Sequence, residues 1–170
     1  MAIIGAGPIG LLAAMSALAY EAEPIVIDVV AERLSFAKEL GVKYTIHSAE
    51  ENLAEKVLEY TNGRLAELVM ECSGANPAVR SALDITANAG RITLTGWPKK
   101  ETPLPTDMIT RKEIDIRGAR TSANEFEEAI ELIHSGRVDV RKILTKTVTM
   151  EETPAVIADI AVSYTHLRAH

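Results

Sequence analysis

Three glycines near the start of the chain, in Ile3-Ile4-Gly5-Ala6-Gly7-Pro8-Ile9-Gly10-Leu11-Leu12, constrain the fold more than any other stretch. An apolar entry, a G-x-G-x-x-G spacing and an alanine-rich continuation read as a strand, a tight turn and a helix. Each glycine has its own physical reason. Gly5 permits the turn, Gly7 carries no Cβ to block a close-approaching phosphate, and Gly10 lets the helix lie near its strand. Pro8 suits the first helical turn, where its missing N–H costs little, and Ile9 follows it. Backbone N–H groups and the helix dipole at such a turn favour a bound pyrophosphate. Taken alone, the same pattern also fits a plain strand-to-helix turn.

The rest of the chain decides between these. Leu11 to Tyr20 is a predicted helix, and Glu21-Ala22-Glu23-Pro24 ends it without a glycine. Pro24 to Asp28 is a short apolar run ending in an acid, as in a parallel strand covered on both faces. Asp28 follows Gly10 by eighteen positions, near the roughly 20-residue spacing of an acid that accepts hydrogen bonds from an adenosine ribose. A carboxylate there repels a 2′-phosphate, so the expectation is NAD rather than NADP. The alternative is a solvated acid at a strand end. Arg33, on the first turn of a helix predicted over Ala31 to Leu40, reads either as a ribose or adenine contact or as a solvated helix residue.

Strands are further expected over Val42 to Ile46, Leu68 to Gly74, Arg91 to Gly96 and Glu113 to Gly118. Helices are expected from a capping box of Ser48 and Glu51 to about Tyr60, from Ala75 to Ala87, and from about Asn124 to Ser135, capped by Ser122 with Glu125. Trp97 to Thr110, with three prolines, reads as irregular. Six strands alternating with helices give the fold class: α/β, a doubly wound six-stranded parallel sheet of the Rossmann dinucleotide-binding kind.

Composition excludes several functions. The net charge is −6, which argues against a nucleic-acid partner. No apolar run approaches the roughly 18 residues of a membrane span, and no basic segment precedes the glycines as in a signal peptide. Cys72 is the only cysteine, so an internal disulfide and a cysteine-rich zinc site are excluded and a reducing cytoplasm is the expected home. His47, His134, His166 and His170 show no metal-ligand spacing, and they and Cys72 are read as structural.

The motifs taken in order resemble the cofactor-binding domain of zinc-dependent medium-chain alcohol and polyol dehydrogenases, the sorbitol and threonine dehydrogenase relatives in particular. The residues that carry the resemblance are Ile4 to Leu11, Val26-Ile27-Asp28 with Arg33, Ala37 to Gly41, Glu71-Cys72-Ser73-Gly74, Gly90-Arg91 leading to Thr95-Gly96, and Arg111 to Gly118. The likeness implies that Gly5, Gly7, Pro8, Ile9 and Gly10 line the pyrophosphate while Asp28 and Arg33 hold the adenosine ribose. It places Ser73 near the adenine side and Thr95, Gly96 and Trp97 at the nicotinamide end, with Arg120 closing over it. Trp97 reads equally as a loop aromatic packed on the prolines that follow.

In that family a separate N-terminal domain carries the zinc ligands, so zinc is expected only in a longer parent protein. The implied activity is hydride transfer between NAD and a secondary alcohol of a polyol or sugar acid, with this chain alone inactive. The implied assembly is a homo-oligomer paired through the edge strand 113–118. A non-catalytic NAD-sensing module is the alternative. A dinucleotide-binding domain over residues 1–160 is expected, with 161–170 a poorly ordered non-family tail in which Ser163 to His170 has no helical or strand period.

Overall fold

The structure, a computed structural model, describes residues 1–120 and 122–166. The chain divides into two compact units, Met1–Val140 and Arg141–His170. In the first, β1 (Ala2–Ile4), α1 (Pro8–Ala19), β2 (Ile25–Asp28), α2 (Ala31–Glu39), β3 (Tyr44–His47), α3 (Leu53–Tyr60), β4 (Ala66–Glu71), α4 (Asn76–Ile85), β5 (Thr86–Leu94), α5 (Thr106–Lys112), β6 (Asp115–Gly118) and α6 (Phe126–His134) follow in order. The strands form one sheet in the order β3-β2-β1-β4-β5-β6. Every pairing is parallel. Strand order reverses beside β1, which lies between β2 and β4.

Parallel strands with helices on both faces have no solvent side, which is why they read as unbroken apolar runs. Ile3, Val26, Ile27 and Val69 are all fully buried, and burial of each such side chain contributes about 1.5–3 kcal/mol. The glycine-free end of α1 is resolved by Glu21, which takes the left-handed conformation with φ 59°.

Several boundaries differ from the sequence expectation. The stretch from Ser48 to Glu51 is a turn rather than a capping box: Glu51 accepts the His47 N–H at 2.7 Å, and Asn52 caps α3 by accepting from Glu55 N–H. The helix expected to reach Ala87 ends at Ile85, because Thr86 already pairs with Ala66 and opens β5. Ala89 and Gly90 therefore lie within β5, in an irregularity of its register against β4. The proline-rich stretch is not irregular throughout, since Thr106–Lys112 forms α5. Pro105 precedes its first turn, where proline is tolerated, and Asp107 pairs with Arg111 one turn on. α6 begins at Phe126, two residues later than expected, although Glu125 does accept from Ser122 and Ala123.

A 3₁₀ turn, Val140–Ile143, starts at the last residue of the first unit, and the second unit holds α7 (Thr153–His166). That helix enters the stretch from Ser163 in which no helical period was legible; Pro154 stands in its first turn, and Ala155, Ala158 and Ala161 follow. Residues 167–170 lie outside the described residues, and with them the expectation for His170 and the end of the tail. Among the described residues no helix is long and apolar enough to cross a membrane.

Candidate functional site

The glycine turn sits at the C-terminal end of β1, at the reversal of strand order, where open α/β sheets bind ligands. Gly5 has φ +104° and donates its N–H to the Ile27 carbonyl at 2.7 Å. A Cβ on Gly10 would lie 1.8 Å from the Gly5 carbonyl oxygen, so only glycine lets α1 start this close to the turn. Gly7 is different: a Cβ there would meet nothing within 4 Å. Its bareness serves open space above the turn rather than packing. Gly7 precedes α1, Pro8 takes the first helical position, no side chain caps the helix, and no acid lies in its first turn. Pro8 and Ile9 are exposed. The free N–H groups of such a helix start and its dipole suit an anion.

Asp28 ends β2 and is 7% exposed. Its Oδ2 accepts the Ala6 N–H at 2.6 Å, and Oδ1 accepts the Val30 N–H at 3.0 Å. The Arg33 guanidinium stands 3.7 Å from Oδ2. The two residues read from spacing as ribose contacts are thus together, and the acid is tied to the glycine turn itself. Each carboxylate oxygen keeps acceptor capacity beyond these bonds.

Across the strand reversal, a Cβ on Gly5 would come within 3.0 Å of Ser73 N, which brings the turn after β4 against the glycine turn. Thr95 and Gly96, after β5, donate their N–H groups to the Glu71 carbonyl, each at 2.9 Å, and the Thr95 hydroxyl donates to the same oxygen at 2.7 Å. Trp97 is 70% exposed. It is covered by the Arg120 guanidinium, 4.5 Å from its ring centroid. Trp97 and Arg120, expected at the same end of the site, are thus in contact. A concavity of about 540 Å³ beside them is lined by Gly118, Ala119, Arg120, Ala123, Phe126 and Ala129, away from the glycine turn.

Glu71 is the residue that sequence reasoning passed over. It is 0% exposed, and its carboxylate accepts from Ser73 N–H at 2.8 Å, from the Ser73 hydroxyl and from Gly74 N–H. The available signal was a lone acid in the apolar run Leu68-Val69-Met70-Glu71-Cys72. Cys72 is half-buried, and burial pushes its thiol up; the Thr95 hydroxyl, 3.3 Å from Sγ, opposes this in part. His47 sits at the end of β3 opposite Asp28, with its buried Nδ1 3.9 Å from Glu50. Among the described residues, no three His, Cys, Asp or Glu side chains converge as a metal site. The residues present fit a dinucleotide and do not fit a zinc ion.

Comparison with known proteins agrees with this fold. A family profile described as zinc-binding dehydrogenase matches residues 8–135. An uncharacterized zinc-type alcohol dehydrogenase-like protein of Haemophilus influenzae is 47% identical, over 94% of this chain and 46% of its own length. Sorbitol dehydrogenase of Bacillus subtilis is 34% identical, over 90% of this chain and 44% of its own. The chain therefore spans about half the length of these curated relatives. A solved structure of an Escherichia coli short-chain alcohol dehydrogenase, complexed with the cofactor NADH, superposes with a TM-score of 0.85 at 28% identity. It covers 92% of this chain and 47% of that one.

Proposed function

The chain belongs to the zinc-binding dehydrogenase family, and from that premise we propose that it is the NAD-binding portion of a dehydrogenase. The whole enzyme moves a hydride between NAD and a secondary alcohol of a polyol or sugar acid. The observation that carries the reading is the Asp28 carboxylate held against the glycine turn at the reversal of strand order. Bound NAD supplies the hydride acceptor. The chain's own residues bind and orient it. The helix start at Gly7 to Gly10 takes the pyrophosphate, Asp28 and Arg33 hold the ribose, and Asp28 repels a 2′-phosphate. Ser73 borders the adenine side; Thr95, Gly96, Trp97 and Arg120 border the nicotinamide.

The dinucleotide-binding part runs to about residue 160, with 161–170 foreign to the family. The zinc that acidifies the alcohol belongs to the remainder of the longer protein, so this chain binds NAD and turns over no alcohol. The sorbitol dehydrogenase relative supports the substrate class. The protein works in the cytoplasm. β6, at the sheet edge, pairs with a second copy; sedimentation showing a monomer at all concentrations would contradict this. For the activity, the test is an assay of the longer protein with polyols and NAD. Zinc-dependent reduction of NAD is expected, and NAD binding without turnover of any alcohol would favour the sensing module instead.

A further inference from the structure

Two turns at the C-terminal ends of β4 and β5 are held by one residue, the first through its side chain and the second through its carbonyl. The carboxylate of Glu71, fully buried, gathers the Ser73 N–H, the Ser73 hydroxyl and the Gly74 N–H of the first turn. The carbonyl of the same residue gathers the Thr95 N–H, the Gly96 N–H and the Thr95 hydroxyl of the second. The turns are also in backbone contact. A Cβ on Gly96 would lie 2.2 Å from Gly74 N and 2.4 Å from Glu71 Oε2, and one on Gly74 would lie 2.8 Å from Trp97 N. The second carboxylate oxygen thus forms the floor under Gly96. Among the described residues Glu71 has no cationic partner within ion-pair distance; its buried carboxyl oxygens are met by N–H and O–H donors alone. A plain apolar side chain would satisfy the strand, since its neighbours Val69 and Ile4 do so. A buried acid is costly unless its hydrogen bonds are needed.

We infer that Glu71 is a positioning residue for the nicotinamide half of the cofactor: it fixes the Ser73–Gly74 and Thr95–Trp97 turns relative to each other without touching the cofactor itself. The inference rests on the NAD-binding reading above. It also assigns a division of labour, because the adenosine half is held by Asp28 and Arg33, which share no hydrogen bond with Glu71. Loss of the Glu71 carboxylate therefore loosens the Ser73–Gly74 turn directly and, through the backbone contacts of Gly74 with Gly96 and Trp97, the Thr95–Trp97 turn and the nicotinamide. On the adenosine half it reaches the Ser73 border alone, and the Asp28 and Arg33 contacts stay as before.

The test compares NADH with ADP-ribose, which lacks the nicotinamide, by calorimetry on the full chain. A second readout is energy transfer to NADH from Trp97, the chain's only tryptophan. Glu71→Met keeps the size and removes both carboxylate acceptors; Glu71→Gln keeps one oxygen for Ser73 and Gly74. Glu71→Met is expected to weaken NADH about tenfold or more, the scale of hydrogen bonds to a carboxylate, with ADP-ribose weakened by no more than about threefold through the Ser73 border. Energy transfer from Trp97 falls even at saturating NADH, and Glu71→Gln restores most of both. Should Glu71→Met not fold, Glu71→Gln carries the same comparison on a smaller scale, with NADH weakened about threefold and ADP-ribose unchanged. Equal loss of NADH and ADP-ribose, or no loss of either, overturns the inference and leaves the NAD reading intact. Failure of the unaltered chain to bind either ligand overturns the NAD reading, and the inference with it.

Discussion

The Oδ2 atom of Asp28 and the backbone N–H of Ala6 meet at 2.6 Å, although the residues are 22 apart in sequence. This bond makes the phosphate turn and the ribose acid one unit. The acid at the end of β2 is not merely near the glycine turn; it fixes the turn's N–H groups. Val30, on the other carboxylate oxygen, fixes the start of α2 in the same way.

Replacing Asp28 with alanine therefore does two things. It removes the ribose acceptor and orphans two N–H donors, each worth about 1.5–3 kcal/mol when the partner is charged. NADH affinity is expected to fall about 10- to 100-fold. NADPH affinity should fall less than NADH affinity, since both lose the fixed turn but only NADPH is relieved of the repelling carboxylate. Calorimetry with both cofactors checks this; an unaltered preference would remove the role given to Asp28.

Gly7 and Gly10 separate function from packing. Gly7 has φ −78° and open space around it, so Gly7→Ala should leave the melting temperature within about 2 °C while weakening NADH at least about tenfold. In Gly10→Ala the Cβ meets the Gly5 carbonyl oxygen. A backbone clash of this kind costs about 3 kcal/mol, or roughly 6–12 °C in a chain of this length. Thermal melts and cofactor titrations of both variants decide it. Equal destabilisation would contradict the assignment.

Trp97 and Arg120 form an exposed cation–π pair, of the kind worth about 0.5–1 kcal/mol. A double-mutant cycle of Trp97→Ala and Arg120→Ala, read in NADH affinity, should give a coupling of about that size and none in ADP-ribose affinity. Purely additive effects would mean that the pair acts elsewhere.

Burial raises the Cys72 thiol above the ordinary value, so the thiolate forms only at higher pH. At pH 8 alkylation by iodoacetamide should run at least about tenfold slower than that of a free thiol, and the pH midpoint of its rate should lie above the free-thiol value. The sign for stability is the same. The folded chain keeps this proton longer than the unfolded chain, so the contribution is full below the unfolded pKa and is lost as pH rises through the folded one. A midpoint at or below that of a free thiol would contradict the burial.

The parts of the site legible in sequence were those set by spacing along the chain. Gly5 and Gly10 are fixed by steric need in a tight turn, Gly7 by its place in the motif between them, and Asp28 by the length of one helix and one strand. The strand–helix alternation likewise fixed the sheet. Tertiary pairings left no such trace. Thr86 ends α4 because it pairs with Ala66, and Asn52 rather than Ser48 caps α3 because Glu51 is occupied by the His47 N–H. The Thr106–Lys112 helix was hidden among prolines because Pro105 stands at a start that admits it. Glu71 was hidden for a different reason: an acid in an apolar run is a signal, but its partners are two turns that come together only in the folded sheet.

The central claim is most directly tested by titrating the folded 170-residue chain with NADH and NADPH by calorimetry. One NADH per chain is predicted, with NADPH at least about tenfold weaker because of the Asp28 carboxylate. A chain that is folded by circular dichroism yet binds neither, or binds NADPH as tightly as NADH, would contradict it.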